Sequence, residues 1–274
     1  MAVGLMDIAQ RASKGIDKEL RSSPKAAGLM DLLRKDKETD ALLEQANTMM
    51  ILRYGFTDHG RTHSLIVTHN ALRMMRILEK AGITSETAKL LSLGPDDLRC
   101  IVAAGAYLHD VGNAIHRDNH FIHSVMLAKG VLDRILPQVY TDVTVRTRIM
   151  TEILNCIYVH DVYEHPKLES VTMESGIVSV ADGTDLAAGR SRIPYKLGKV
   201  DIHSVSAMAV RRLRIVEGKE KPLRFEVEMT ESAGIFQVQR ILGEKIRSST
   251  LREHVEVIAT TEPSNRPLRT RLEF

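Results

Sequence analysis

The chain has no tryptophan, and aromatic residues make up only 4% of its 274 positions. That scarcity disfavours a surface that stacks single-stranded nucleic acid, and it leaves an aliphatic core as the way to fold. The 12 methionines are expected to fill irregular gaps between helices rather than to form a cofactor box. Cysteine is also scarce. Cys100 and Cys156 both lie in apolar stretches, and neither belongs to a Cys-x-x-Cys pair. A disulfide scaffold is thereby disfavoured, and the two read as buried reduced thiols of a reducing compartment. No apolar run approaches the roughly 18 residues that a membrane helix needs, and Asp7 interrupts the stretch where a signal peptide would carry its apolar core. No charge sign dominates either. Lys and Arg number 38 against 35 Asp and Glu, a net charge of +3 spread along the chain, unlike the clustered basic surface of a duplex-DNA binder. These absences predict a soluble cytoplasmic protein with neither a membrane nor duplex nucleic acid as its partner.

What is present is helical periodicity. Residues 1–53 are rich in Ala, Leu, Met, Lys and Glu, with Pro24 and Gly28 expected to break them into shorter helices. Leu42, Leu43, Ala46, Met49 and Met50 form a stripe that packs this lead-in onto the main domain. A helix from about Thr62 carries Ile66, Val67, Met74, Ile77 and Leu78 and stops at Gly82, a plausible left-handed terminus. Pro95, Asp96 and Asp97 start another, which runs to His109 and Asp110. Asn119 to Leu136, Asp142 to His160 and about Leu168 to Ala188 repeat the pattern. Residues 54–210 therefore predict a helical bundle. After Val210 the period changes to two, with Leu223, Phe225, Val227 and Met229 alternating with charged residues, so residues 211–274 predict a small α+β appendage that opens with an antiparallel hairpin. The fold class is mainly α.

The chemistry lies at the inner ends of the bundle helices, where His63, His109, Asp110, His123, His160 and Asp182 fall in order. Any one of these histidines alone reads most simply as a hydrogen-bonded core or surface residue. Together they are the mixture of nitrogen and carboxylate ligands that borderline divalent metals favour, and unpaired they would carry a desolvation cost in a bundle core.

The order His63, then His109-Asp110 within AYLHDVGNAIH, then His123, His160 and Asp182 within SVADGTD, resembles the HD superfamily of metal-dependent phosphohydrolases. HGRTHSLIVTHNA is similar to that family's opening His motif, and the likeness spans roughly residues 54–200. It implies an HD-type helical bundle in which His63, His109, Asp110 and Asp182 hold a first divalent metal. His123 and His160 then resemble the extra ligands of two-metal members, with Asp110 bridging ions of Mn, Fe, Co, Ni, Zn or Mg. A metal pair held about 3.5–4 Å apart suits in-line attack of a bound hydroxide on phosphorus. Within HDVGNAIHRDNHFIH the pattern needs one histidine. Ser124 and the apolar helix after it favour His123, leaving His116 and His120 to line the pocket. His116 with Arg117 then reads as a phosphate contact or general acid, or else as part of a solvated loop. Asn113 departs from the family, which often has a Lys there. Arg190, Arg192 and Lys196 follow the last ligand and are expected to clamp phosphate or to form an ordinary basic loop. Asp185 is expected either to orient a ligand histidine or to pair with one of those arginines.

The implied function is a phosphomonoesterase or phosphodiesterase acting on a nucleotide or a related small phosphate ester. A di-iron oxygenase with the same six residues and a non-catalytic nucleotide-sensing module are the alternatives. The strand edges of the appendage could pair two copies into a homodimer.

Overall fold

Apolar positions three and four residues apart fold most of the chain into helices, described by a computed structural model for residues 2–161, 169–186, 202–261, 269–272 and 274. The lead-in forms α1 (Ala2–Glu19), α2 (Pro24–Lys35) and α3 (Lys37–Asn47), and a π-helical turn, Thr48–Arg53, follows directly. Pro24 opens α2, as its missing N–H allows, but Gly28 lies inside that helix and does not break it. One glycine costs about 1 kcal/mol relative to Ala, less than the burial of Ala26, Leu29, Met30 and Leu33 returns.

The bundle comprises α4 (Arg61–Lys80), α5 (Glu86–Leu91), α6 (Pro95–Leu108), α7 (His120–Ile135), α8 (Val143–Tyr158) and α9 (Met173–Gly183). The chain leaves α4 through Gly82 at φ 78°, the left-handed stop expected there. Helix α6 is the centre. All residues from Cys100 to Leu108 on it are buried, and α2, α4, α8 and α9 pack around it, so it is apolar on every side rather than along one stripe. Truncating Ile101 there to Ala would cost about 2–5 kcal/mol. Cys100 and Cys156 are free and buried in this core, and burial pushes the Cys100 thiol up to about 12. Helix α9 is shorter than its apolar stripe suggests, because Thr172 caps it and shares a capping box with Ser175.

The lead-in also braces α7. Asp36 caps α3 by accepting from the Thr39 amide at 2.9 Å, and Arg134 of α7 donates to it at 3.0 Å. The Arg134 hydrogen bond is the main reason that the Asp36 carboxyl titrates at about 2.

After α10 (Ile202–Met208) come four strands in the order β1 (Val210–Glu217), β2 (Leu223–Met229), β3 (Val255–Thr261) and β4 (Arg269–Leu272). The β1–β2 hairpin is antiparallel, with Leu213 opposite Val227 and Ile215 opposite Phe225. Strand β3 runs parallel to β2, which demands a crossover rather than a turn. The helical stretch from Ser232 to Arg247, ending in α11 (Gly243–Arg247), supplies it and lies against α9. Among the described residues, no helix is long and apolar enough to cross a membrane.

Candidate metal centre

Helix ends deliver the polar residues to one buried point. His63 sits in the first turn of α4, His109 and Asp110 follow the last turn of α6, and His120 opens α7. His160 and Asp161 lie just past α8, while α9 closes with Asp182 and is followed by Asp185. Chain ends bring exposed backbone with them, and the site uses it. His109 Nδ1 donates to the Ala106 carbonyl at 2.8 Å, His120 Nδ1 to that of Arg117 at 3.1 Å, and His160 Nδ1 to that of Ile157 at 2.6 Å. His63 Nδ1 instead meets Asp185 Oδ2 at 2.7 Å.

These anchors decide the tautomers. A carbonyl can only accept, so Nδ1 carries the proton and Nε2 of the neutral ring presents a lone pair. The Nε2 atoms nevertheless face one another, His63 against His109 at 3.2 Å and His120 against His160 at 3.1 Å. Asp110 stands between the two pairs. Its Oδ2 lies 3.4 and 3.3 Å from Nε2 of His63 and His109, and its Oδ1 lies 3.4 and 3.6 Å from Nε2 of His120 and His160. Asp182 Oδ1 joins the first pair at 3.1 Å from His63, and Asp161 Oδ2 approaches the second at 3.5 Å from His120. Lone pairs pointed at lone pairs and carboxylate oxygens repel unless a cation lies among them. The donor set therefore fits divalent metal, and His63, His109 and Asp182, or His109, Asp110 and His160, are close enough to share one ion.

The electrostatics agree. Burial works against ionisation of Asp110, yet His109, His120 and His160 hold it well below the usual carboxylate range. Burial likewise opposes the charge on Asp182, and Lys245 foremost, with His109 and His63, keeps it well below that range. His109 is pushed down by burial and raised on balance by Asp110 and Asp182, whereas burial, reinforced by His109 and His120, lowers His160. Among the described residues of the cluster, four carboxylates (Asp110, Asp161, Asp182, Asp185) face two cations (Arg117, Lys245), leaving two negative charges for bound cations to balance. The Asp182 side chain is 15% exposed and that of Arg117 26%, which marks where the cluster meets solvent.

The structure thus brings together five of the six residues expected from the sequence, His63, His109, Asp110, His160 and Asp182. The sixth, His123, lies apart from them. His120, not His123, meets Asp110 and His160, and His123 Nδ1 is buried with no partner among the described residues. Helix α7 begins at His120, so His123 lies about 4.5 Å further along the axis, and helical side chains lean back toward the N-terminus. Among the described residues, the Ser124 side chain makes no hydrogen bond to a histidine of the cluster. Its Oγ accepts from the Gly112 amide at 2.8 Å, and a Cβ on Gly112 would lie 2.1 Å from the His120 carbonyl, so glycine lets the start of α7 dock on the turn after Asp110.

Asp185 holds His63. His116 is exposed and accepts from the Asp118 amide at 3.0 Å, outside the cluster. Arg117 lies at its edge, 3.2 Å from Asp161 and 3.4 Å from His120 Nε2. Asn113, where a Lys was noted as absent, donates to Asp110 Oδ1 at 2.9 Å. Arg190, Arg192 and Lys196 lie outside the described residues. Asp161 and Lys245 are additions. Asp161 could have been suspected from its place beside His160, but Lys245 carries no sequence signal.

The comparisons point the same way. The HD-domain family model matches residues 60–187, a span that contains all eight histidines and aspartates of the cluster. The uncharacterized protein MJ1020 of Methanocaldococcus jannaschii is 42% identical over 234 residues, covering 85% of this chain and 88% of that protein. No solved structure matches the chain. With its helical bundle, its His109-Asp110 pair at the end of the central helix and its match to the family model, the chain belongs to the HD-domain family.

Proposed function

We propose that the protein is a metal-dependent phosphohydrolase that holds two divalent ions and acts on a nucleotide or a related small phosphate ester. HD-domain membership implies divalent-metal binding. The observation that carries the two-ion reading is the pair of imidazole couples on opposite oxygens of one carboxylate, Asp110. His63, His109, Asp110 and Asp182 would hold one ion, and Asp110, His120, His160 and Asp161 the other. When bound, such ions polarise phosphoryl oxygens and acidify water enough for it to attack near neutral pH.

The side chains supply the rest. Asp110 offers an oxygen to each end, and Asn113 steadies it. Asp185 keeps the proton of His63 on Nδ1, so that Nε2 stays an electron-pair donor. The backbone carbonyls of residues 106, 117 and 157 do the same for the other three rings. Arg117 puts a guanidinium at the His120 end, a cation suited to the anionic oxygens of a phosphate ester.

Hydrolysis measured with Mn²⁺ or Fe²⁺ in wild type and Asp110→Ala tests this reading, with phosphate released from nucleoside monophosphates and simple phosphate esters and nucleoside monophosphate formed from cyclic nucleotides as the products. Hydrolysis that depends on metal, stops with chelator and is absent in the variant is expected. Oxygen consumption without hydrolysis would replace it with the oxygenase reading.

A further inference from the structure

One buried ammonium enters the cluster from outside the HD-domain match. Lys245, 3% exposed on the short helix α11, lies 2.8 Å from Asp182 Oδ2 and donates to the His160 carbonyl at 2.6 Å. It therefore touches the last residue of α9 that belongs to the cluster and the backbone of a histidine at the opposite end. Leu242 and Ile246 flank it in the core, so the helix cannot turn its lysine toward water without exposing them. Space for the stem is provided too. A Cβ on Gly183, next to Asp182, would lie 2.9 Å from Lys245 Cδ. The same crossover is fastened to the other end of α9, where Thr250 Oγ1 donates to the Thr172 carbonyl at 3.1 Å and a Cβ on Gly176 would lie 2.5 Å from that hydroxyl.

We propose that Lys245 is a positioning residue for the metal centre, and that the C-terminal sheet unit is thereby part of the site. By holding the outer oxygen of Asp182, the ammonium turns the inner oxygen toward His63 and His109. Asp182 has two oxygens and a rotatable side chain. Lys245 fixes the torsion that aims one of them at the imidazoles. The inference rests on the metal-binding reading of the preceding section.

Two effects of this lysine oppose each other, and the balance between them is measurable. A cation beside a ligand competes with the metal for negative charge, so simple electrostatics has Lys245→Met bind metal more tightly. Orientation of the carboxylate has it bind more weakly, by about 10–100-fold, as loss of groups that orient metal ligands does. The variant should fold, because Met matches the stem in shape and Ser179 Oγ still donates to the His160 carbonyl at 3.1 Å.

Mn²⁺ affinity, read by titration of the chelated full-length protein at a temperature where circular dichroism shows the metal-free variant folded, should fall at least about tenfold in Lys245→Met, whose melting temperature is itself lowered by loss of the buried partner of Asp182. Gly183→Ala keeps the charge but displaces the stem. It should weaken Mn²⁺ binding in the same direction, and it gives an independent reading should Lys245→Met not fold. Unchanged or tighter Mn²⁺ binding in the variants would overturn the proposal while leaving the metal centre intact. A wild type that binds no Mn²⁺ would remove the metal reading itself, and the role of Lys245 with it.

Discussion

The two ends of the cluster are built from the same kinds of residue but supported differently. At the first end, His63 leans on a carboxylate, Asp185, and Asp182 is held by a fully buried ammonium. At the second, His120 and His160 lean on backbone carbonyls, and Asp161 is held by Arg117, whose side chain is partly exposed. A carboxylate partner makes an imidazole a stronger electron-pair donor than a carbonyl does, and a buried ion pair is less screened than one open to water. Although His109 at the first end also leans on a carbonyl, that of Ala106, the first end is expected to be the tighter of the two proposed sites. The second depends on where α7 starts and on the turn it rests against.

The change expected to matter most removes what the two ends share. Asp110→Ala should empty both, lowering metal affinity by more than about 100-fold, since loss of orienting groups alone costs about 10–100-fold. Elemental analysis after gel filtration would read it as metal content near zero in a folded protein. Asp185→Asn should sharpen the contrast. It withdraws the carboxylate from His63 alone and should weaken the first end about 10–100-fold in a two-site Mn²⁺ titration, leaving the second end unmoved.

A smaller effect comes from acid. Asp36 ties α3 to Arg134 of α7 and titrates at about 2 in the folded protein, below its ordinary value of 3.8. A depressed carboxyl stabilises the fold fully above its unfolded value and stops doing so as pH falls through its folded one. The melting temperature of wild type should exceed that of Asp36→Asn at pH 5 and converge on it between about pH 4 and 2. A gap that stayed constant over that window would show that Asp36 does not brace α7 through its charge.

The same contrast explains what was legible in the sequence. His63, His109, Asp110, His160 and Asp182 each terminate or begin an apolar stripe, so a period of 3.6 is enough to point them inward. The choice among His116, His120 and His123 is of another kind. It turns on Asn119, which precedes α7 at φ 58°, and on the close approach that Gly112 permits. No spacing rule encodes either. Lys245 is further still from sequence logic: it lies among the charged residues Arg240, Glu244 and Arg247, and only the parallel crossover from β2 to β3 turns it into the core. Local periodicity made the helical fold and the hairpin readable. Tertiary approach decided the rest.

The central claim is that two ions share Asp110, one of them through His120. Metal content of anaerobically purified protein, measured side by side for wild type, His120→Ala and His123→Ala, tests it most directly. The account predicts about two ions per chain in wild type and in His123→Ala, and about one in His120→Ala. No metal in wild type, or an ion lost from His123→Ala and kept in His120→Ala, would contradict it.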